Sequence, residues 1–217
     1  MVFSSTSLFR RGLFRALGAV VFALPVISLL AALPVEGATA GDPRSFVNGL
    51  GDEVIGILKT PGVNATERQQ RFRALFTQSF DAQAIGRFVL GAYWNRASEA
   101  ERQRYLNLFS DYVAAIYAIQ FSHYDGASFK TEGVSPIGNG DQAVTAEIDR
   151  SDQPSLQVVF RVRSTPQGQK IVDVAVNSIS LIVTKREEFA EVLATQGVQG
   201  IMQRMQAVLD RTKSNAG

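Results

Sequence analysis

The sequence predicts an α+β protein whose helices cover one face of an antiparallel four-stranded sheet. Three observations predict it: apolar residues at helical spacing up to about residue 123, strict apolar–polar alternation between about 127 and 177, and helical spacing again from about 182 to 212. Runs of helices and strands that segregate along the chain, rather than alternating one for one, exclude a parallel βαβ sheet.

Residues 1–40 are set apart from that pattern. Arg10, Arg11 and Arg15 precede the apolar run Ala16 to Leu33, which holds Pro25 and is followed by Ala38-Thr39-Ala40. A basic start, a short apolar stretch and a small-residue end form an export signal cleaved after Ala40, and the Arg10-Arg11 pair resembles a twin-arginine signal. The mature part, 41–217, is expected to be a single domain.

Of 22 basic and 20 acidic residues, three basic and one acidic lie before residue 41, leaving 19 of each. The mature chain is formally neutral. It lacks the broad positive field that binding to a phosphate backbone needs, so nucleic acid is not expected as a partner.

The helices follow in order. Phe46, Val47, Leu50, Val54, Ile57 and Leu58 give Pro43 to Lys59 an apolar stripe, which Thr60-Pro61-Gly62 ends. Phe72, Leu75 and Phe76 do the same for 66–79. Asp81 is placed as the N-cap of the next helix and Gly91 as its stop. Ser98-Glu99-Ala100-Glu101 is a capping-box pattern that opens a long helix to about His123, with Tyr105, Leu108, Phe109, Tyr112, Ile116 and Ile119 along its stripe and Val113, Tyr117 and Phe121 widening it.

Three strands are marked by alternation: Val144, Ala146 and Ile148; Leu156, Val158, Phe160 and Val162; and Val172, Val174 and Val176. Ala127 to Val134 is the fourth. Turns are expected at Gly138-Asn139-Gly140 and Pro166-Gln167-Gly168, and closing helices at 185–195 and 199–211, separated by Gly197.

Candidates for chemistry are few. The chain has no cysteine and one histidine, His123, so neither a thiolate site nor a nucleophile–base pair assembles, and no Asp/Glu spacing reads as a calcium loop. No metal, cofactor or catalytic residue is expected. Asp173, between Val172 and Val174, is the carboxylate best placed for acid–base work, although alternation turns it away from the apolar face toward solvent or an arginine.

The apolar stretch Phe80 to Trp94, with the only tryptophan, carries a more specific signal. Phe80-Asp81, Ile85, Arg87, Val89-Leu90-Gly91, Tyr93-Trp94, Ala97-Ser98, Arg102, Phe109, Tyr117 and Tyr124-Asp125-Gly126 resemble the pattern of the MlaC, or toluene-tolerance, family. Val172, Asp173-Val174, Ser180-Leu181 and Arg186-x-x-Phe189 extend the resemblance across nearly all of the mature chain. The chain departs from it at Ser178, where the family often has glycine, and at Thr184-Lys185, where it often has Asn-Tyr.

The resemblance implies a monomeric periplasmic carrier with an NTF2-like core and added helices around a lipid pocket. It implies as partners a phospholipid, an inner-membrane ABC transporter with an MCE-domain subunit, and an outer-membrane lipoprotein complex.

On that footing the inward-facing set expected to line the pocket is Val144, Ala146, Ile148, Val158, Phe160, Val174 and Val176 from the sheet, opposed by Phe109, Tyr112, Val113 and Ile116 from the long helix. Arg96, Arg102, Arg104, Lys185 and Arg186 are candidates for docking acidic partner surfaces. Two other readings are kept. One is an NTF2-like isomerase or dehydratase with a small substrate and Asp173 or Tyr112 as acid or base; the other is an interaction module that packs its apolar face on another protein.

Overall fold

A computed structural model describes residues 41–120, 128–150 and 153–214. The expected export signal, His123, and the Tyr124-Asp125-Gly126 element lie outside the described residues. Five helices, α1 (Pro43–Lys59), α2 (Ala65–Ser79), α3 (Ala82–Leu90), α4 (Tyr93–Arg96) and α5 (Glu99–Gln120), precede strands β1 (Ser128–Pro136), β2 (Gln142–Arg150), β3 (Gln153–Thr165), β4 (Gly168–Val176) and β5 (Ile179–Ser180). A long helix, α6 (Leu181–Ser214), follows and kinks at Gly197.

The starts of α1, α2, α3 and α5 are each fixed by a polar side chain that takes otherwise unpaired backbone N–H groups. Asp42 accepts from Ser45 N at 2.9 Å, Asn64 from Glu67 N at 2.9 Å, and Asp81 from Ala84 N at 2.9 Å. At α5 the Glu101 carboxylate accepts from the backbone N and the hydroxyl of Ser98 at 2.9 and 2.8 Å, and Ser98 Oγ accepts from Glu101 N at 3.3 Å. With a further bond from Gln199 of α6, led by the one from Ser98 N, this pulls the Glu101 pKa down to about 2.

The strands form one antiparallel sheet in the order β1-β2-β3-β4-β5. The sheet has five strands, not four. Asn177 and Ser178 both adopt positive φ, 47° and 68°, closing a two-residue hairpin that returns β5 onto Ala175 and Val176. Such turns favour Asn-Gly, and Asn-Ser gives a weaker signal in sequence.

The edge of β4 is also covered further along, where Phe80 bridges Ile171 and Asp81 N donates to Ile171 O at 2.9 Å. Unpaired strand edges invite association, and this one is closed from within the chain.

Alternation fails once along β4. Val162 pairs with Ile171 and Arg161 with Asp173, so Val172 is the extra residue of a bulge. Ile171, rather than Val172, therefore shares a face with Val174 and Val176.

Two clusters make up the core. In the first, Val144, Ala146, Val158, Phe160, Val162 and Ile171 of the sheet pack with Val47 and Leu50 of α1, Phe72 and Leu75 of α2, and Ala114 and Ala118 of α5. The second joins Ile85, Val89 and Leu90 of α3, Trp94 of α4, Tyr105, Phe109 and Tyr112 of α5, and Phe189, Leu193, Ile201, Met202 and Met205 of α6.

Helix α5 separates the clusters and serves both. Its alanines Ala114 and Ala118 join the first cluster, with Phe72 and Leu75 of α2, while its aromatic side joins the second, Phe109 against Phe76 at 6.5 Å and Tyr112 against Phe189 at 6.1 Å between ring centroids.

Candidate functional site

The sheet face beneath the helices is an apolar surface built from three strands. Helix α1 lies along β1, held by Thr131 Oγ1 donating to Asn48 Oδ1 at 2.9 Å and by Arg44 donating to the carbonyls of Thr131 and Glu132 at 3.4 and 3.3 Å. Gly51 sits directly on the Phe129 ring. Beyond that contact Val54, Ile57 and Leu58 continue toward the β2–β3 hairpin end of the sheet.

Along this face the exposure changes. Toward Gln142, Val162 and Ile171 the face is closed, with Val144, Val162 and Ile171 each 2% exposed or less. Toward the β2–β3 hairpin, Ile148, Leu156, Val174 and Val176, together with Phe129 of β1 and Val54, Ile57 and Leu58 of α1, are only partly buried. The result is an apolar face closed at one end and partly exposed at the other.

All seven sheet residues expected to point inward, Val144, Ala146, Ile148, Val158, Phe160, Val174 and Val176, share this helix-covered face. The four expected from the long helix do not oppose them. Phe109, Tyr112, Val113 and Ile116 belong to the second cluster, against α3 and α6. The helix carries apolar residues around most of its circumference, so the spacing of its large side chains did not reveal that the small ones, Ala114 and Ala118, are those that join the cluster containing the sheet. The α1 residues Val54, Ile57 and Leu58 take that opposing place; their stripe was legible, but nothing local to it pointed to the sheet.

The candidate acid–base groups are engaged elsewhere. Asp173 Oδ2 accepts from Ser180 Oγ at 2.7 Å, and Ser180 Oγ accepts from Val183 N at 3.2 Å, so the pair caps the start of α6. This starts the helix at Leu181, earlier than its apolar spacing suggests, and Asp173 meets a serine where solvent or an arginine was expected. Tyr112 OH lies 3.4 Å from Lys185 Nζ, whose ammonium also sits over the Tyr112 and Phe189 rings and pairs with Glu188 at 2.5 Å. Burial, with the nearby Glu188 charge, pushes the Tyr117 hydroxyl up to about 12.

The opposite face of the sheet carries a polar clasp that spacing did not indicate. Asp141, 1% exposed, accepts from Arg161 Nε at 2.6 Å and from Arg163 Nε and Nη2 at 2.8 and 2.9 Å. The bonds from Arg163, followed by those from Arg161, hold its carboxyl below the usual range.

The basic docking candidates gather around α4 and the start of α6. Arg102 donates to Trp94 O at 2.9 Å, stacks over the Trp94 indole at 5.3 Å and pairs with Glu99 at 3.6 Å, fastening the buried tryptophan and its turn to α5. Arg96 lies over the Tyr93 ring at 5.2 Å. Arg104 is exposed beside Glu101, and Arg186 stacks on Phe88 at 5.1 Å.

The fold defines an α+β protein in which one apolar sheet face is covered by helices and less buried toward one end. The chain belongs to the MlaC protein family, whose pattern it matches over residues 49–207. Its fold is similar to that of a phospholipid-binding protein from Ralstonia solanacearum solved in complex with a phospholipid, with a TM-score of 0.68 and 19% sequence identity over 79% of this chain and 99% of that one. Among the described residues no helix is long and apolar enough to cross a membrane, and no cluster of three or more histidine, aspartate or glutamate side chains is placed to hold a metal.

Proposed function

We propose that the protein is a periplasmic carrier that holds the acyl chains of a phospholipid in the cleft between the sheet and α1. The observation that carries the reading is the apolar face of β2, β3 and β4, closed at the Val162–Ile171 end and partly exposed at the Ile148–Leu156 end. Membership of the MlaC family and the fold shared with a phospholipid-bound protein support it.

The physics of transfer favours such a cleft. Each methylene exposed to water costs roughly 0.8 kcal/mol, so a lipid leaves a bilayer only if nearly all of that is recovered. Val144, Ala146, Ile148, Val158, Phe160, Val174 and Val176 supply one wall and Val54, Ile57 and Leu58 the other. The α5 set Phe109, Tyr112, Val113 and Ile116 supports that wall by fixing α5 against α6.

The reading includes export of residues 41–217 by the cleaved signal 1–40 and an NTF2-like arrangement of sheet and helices. Cargo would pass between an outer-membrane lipoprotein complex and an inner-membrane ABC transporter with an MCE-domain subunit. A carrier that makes transfer nearly neutral exchanges lipid with whichever complex it meets, so direction comes from the partners.

The test is native mass spectrometry of residues 41–217 purified from cells without detergent, followed by solvent extraction. One lipid adduct per chain is expected. A bare mass, with no uptake from phospholipid vesicles, would overturn the carrier reading.

A further inference from the structure

A second site lies on the helical side, away from the cleft. A surface hollow of about 600 Å³ opens where the end of α3, α4 and the start of α6 meet, lined by Asp81, Arg87, Phe88, Gly91, Asn95 and Arg186 among others. From this hollow we infer a docking site for an acidic segment of a protein partner, with a carboxylate received by Arg87 and Arg186 and a neighbouring apolar side chain lying on Phe88.

Charge is the first argument. Most basic side chains near this surface are already committed, Arg102 to Trp94 and Glu99, and Lys185 to Glu188 and Tyr112. Among the described residues neither Arg87 nor Arg186 has a carboxylate or carbonyl partner. Asp81, the acidic residue at the border of the hollow, is turned into the N-cap of α3, where it accepts from Ala84 N. Two guanidinium groups therefore face one concavity with their hydrogen-bonding capacity unspent, and a guanidinium fork matches a carboxylate in both shape and charge.

Order is the second. Arg186 is held over the Phe88 ring at 5.1 Å and packs closely on Gly91: a Cβ there would lie 3.0 Å from Arg186 Nη2. Gly91 also ends α3 at a φ of 55°, which glycine adopts without penalty. Phe88 remains 38% exposed. An ordered arginine on a partly exposed aromatic, beside an amide such as Asn95, is the kind of anchor that dominates protein interfaces.

Position is the third, and it separates a protein carboxylate from a lipid phosphate. Asp81 bonds to Ile171, at the closed end of the cleft, whereas a head group attached to chains in the cleft emerges at the Ile148–Leu156 end. The inference rests on the carrier reading only in supposing that the chain has a protein partner.

The experiment uses residues 41–217 labelled with ¹⁵N, carrying whatever lipid copurifies, and follows the arginine Nε–Hε resonances. The probes are the capped peptide Ac-Glu-Leu-Asp-NH₂, its uncharged counterpart Ac-Gln-Leu-Asn-NH₂, and inorganic phosphate. Saturable shifts at Arg87 and Arg186 with the acidic peptide and none with the uncharged one are expected. Arg186→Ala should weaken the acidic peptide about tenfold or more, equivalent to 1.4 kcal/mol, with the lipid content by native mass unchanged. Arg87→Gln, at an exposed side chain, serves the same purpose should Arg186→Ala not fold.

Absence of a saturable shift at the two arginines would overturn the proposal. So would a response to phosphate equal to that to the peptide. Saturable peptide shifts on protein that carries no lipid would support the docking site while counting against the carrier reading.

Discussion

Gly51 of α1 lies so close to Phe129 of β1 that a Cβ on residue 51 would come within 2.4 Å of the ring. The helix can follow the strand only because that position has no side chain, and this contact aims Val54, Ile57 and Leu58 at the open end of the cleft. Gly51→Ala should therefore lose stability. Overpacking costs about 1–3 kcal/mol, and the better helix propensity of alanine returns about 1 kcal/mol, leaving a net loss of up to about 2 kcal/mol. Urea unfolding with a lowered midpoint and an unchanged slope is the expected outcome; an unchanged midpoint would show that the ring moves aside freely.

The two core clusters should respond differently to substitution. Ile148→Glu puts a carboxylate on the partly buried end of the cleft wall, where the fold can leave it wet but an acyl chain cannot. Copurified lipid should fall at least about tenfold while the unfolding midpoint changes little. Phe109→Ala, in the helical cluster, should cost about 3–5 kcal/mol of stability. If Ile148→Glu retains its lipid, the cleft has been assigned to the wrong surface.

Ser178 is held at a φ of 68°, in the turn that returns β5 to the sheet, at the position where the family often carries glycine. A side chain there costs about 1–2 kcal/mol, offset in part by the greater unfolded-state freedom of glycine. Ser178→Gly should raise the melting temperature by about 1–4 °C. A fall would mean that the hydroxyl or Cβ contributes more than the backbone strain removes.

Asp141 binds two arginines from one strand, and its carboxyl titrates below the usual range. A folded pKa below the unfolded value of about 3.9 means that the stabilisation is fully present above that value and is lost as the pH falls through the folded value. Because both arginines are about a third exposed and water can replace part of the contact, Asp141→Asn should cost only about 1–3 kcal/mol at pH 7. The difference from the parent protein should hold steady from pH 5 to 8 and narrow below about pH 4; a constant difference down to pH 2 would remove the ion cluster as its cause.

Several of these sites also mark where local pattern gave way to tertiary context. The α+β class, the helix starts at Asp81 and Ser98, the stop at Gly91 and the inward side of β2 and β3 were legible because each depends on residues within a few positions: a capping side chain, a glycine, an alternation of period two. The β5 hairpin was missed because Asn177-Ser178 lacks the glycine that usually announces such a turn. Asp141 was missed because its partners lie 20 and 22 residues away.

The sequence by itself determined most of the helices and strands and which side of most strands is apolar, since those follow from backbone sterics and short-range periodicity. Only the tertiary structure decided which side of α5 joins each core cluster, that Ile171 replaces Val172 on the helix-covered face of the sheet, and that α1 lies along β1. A helix with apolar residues around most of its surface has no unique inward side until its neighbours are placed. The small Ala114 and Ala118 give no signal until the residues they pack with, Phe72 and Leu75 among them, are there to meet them.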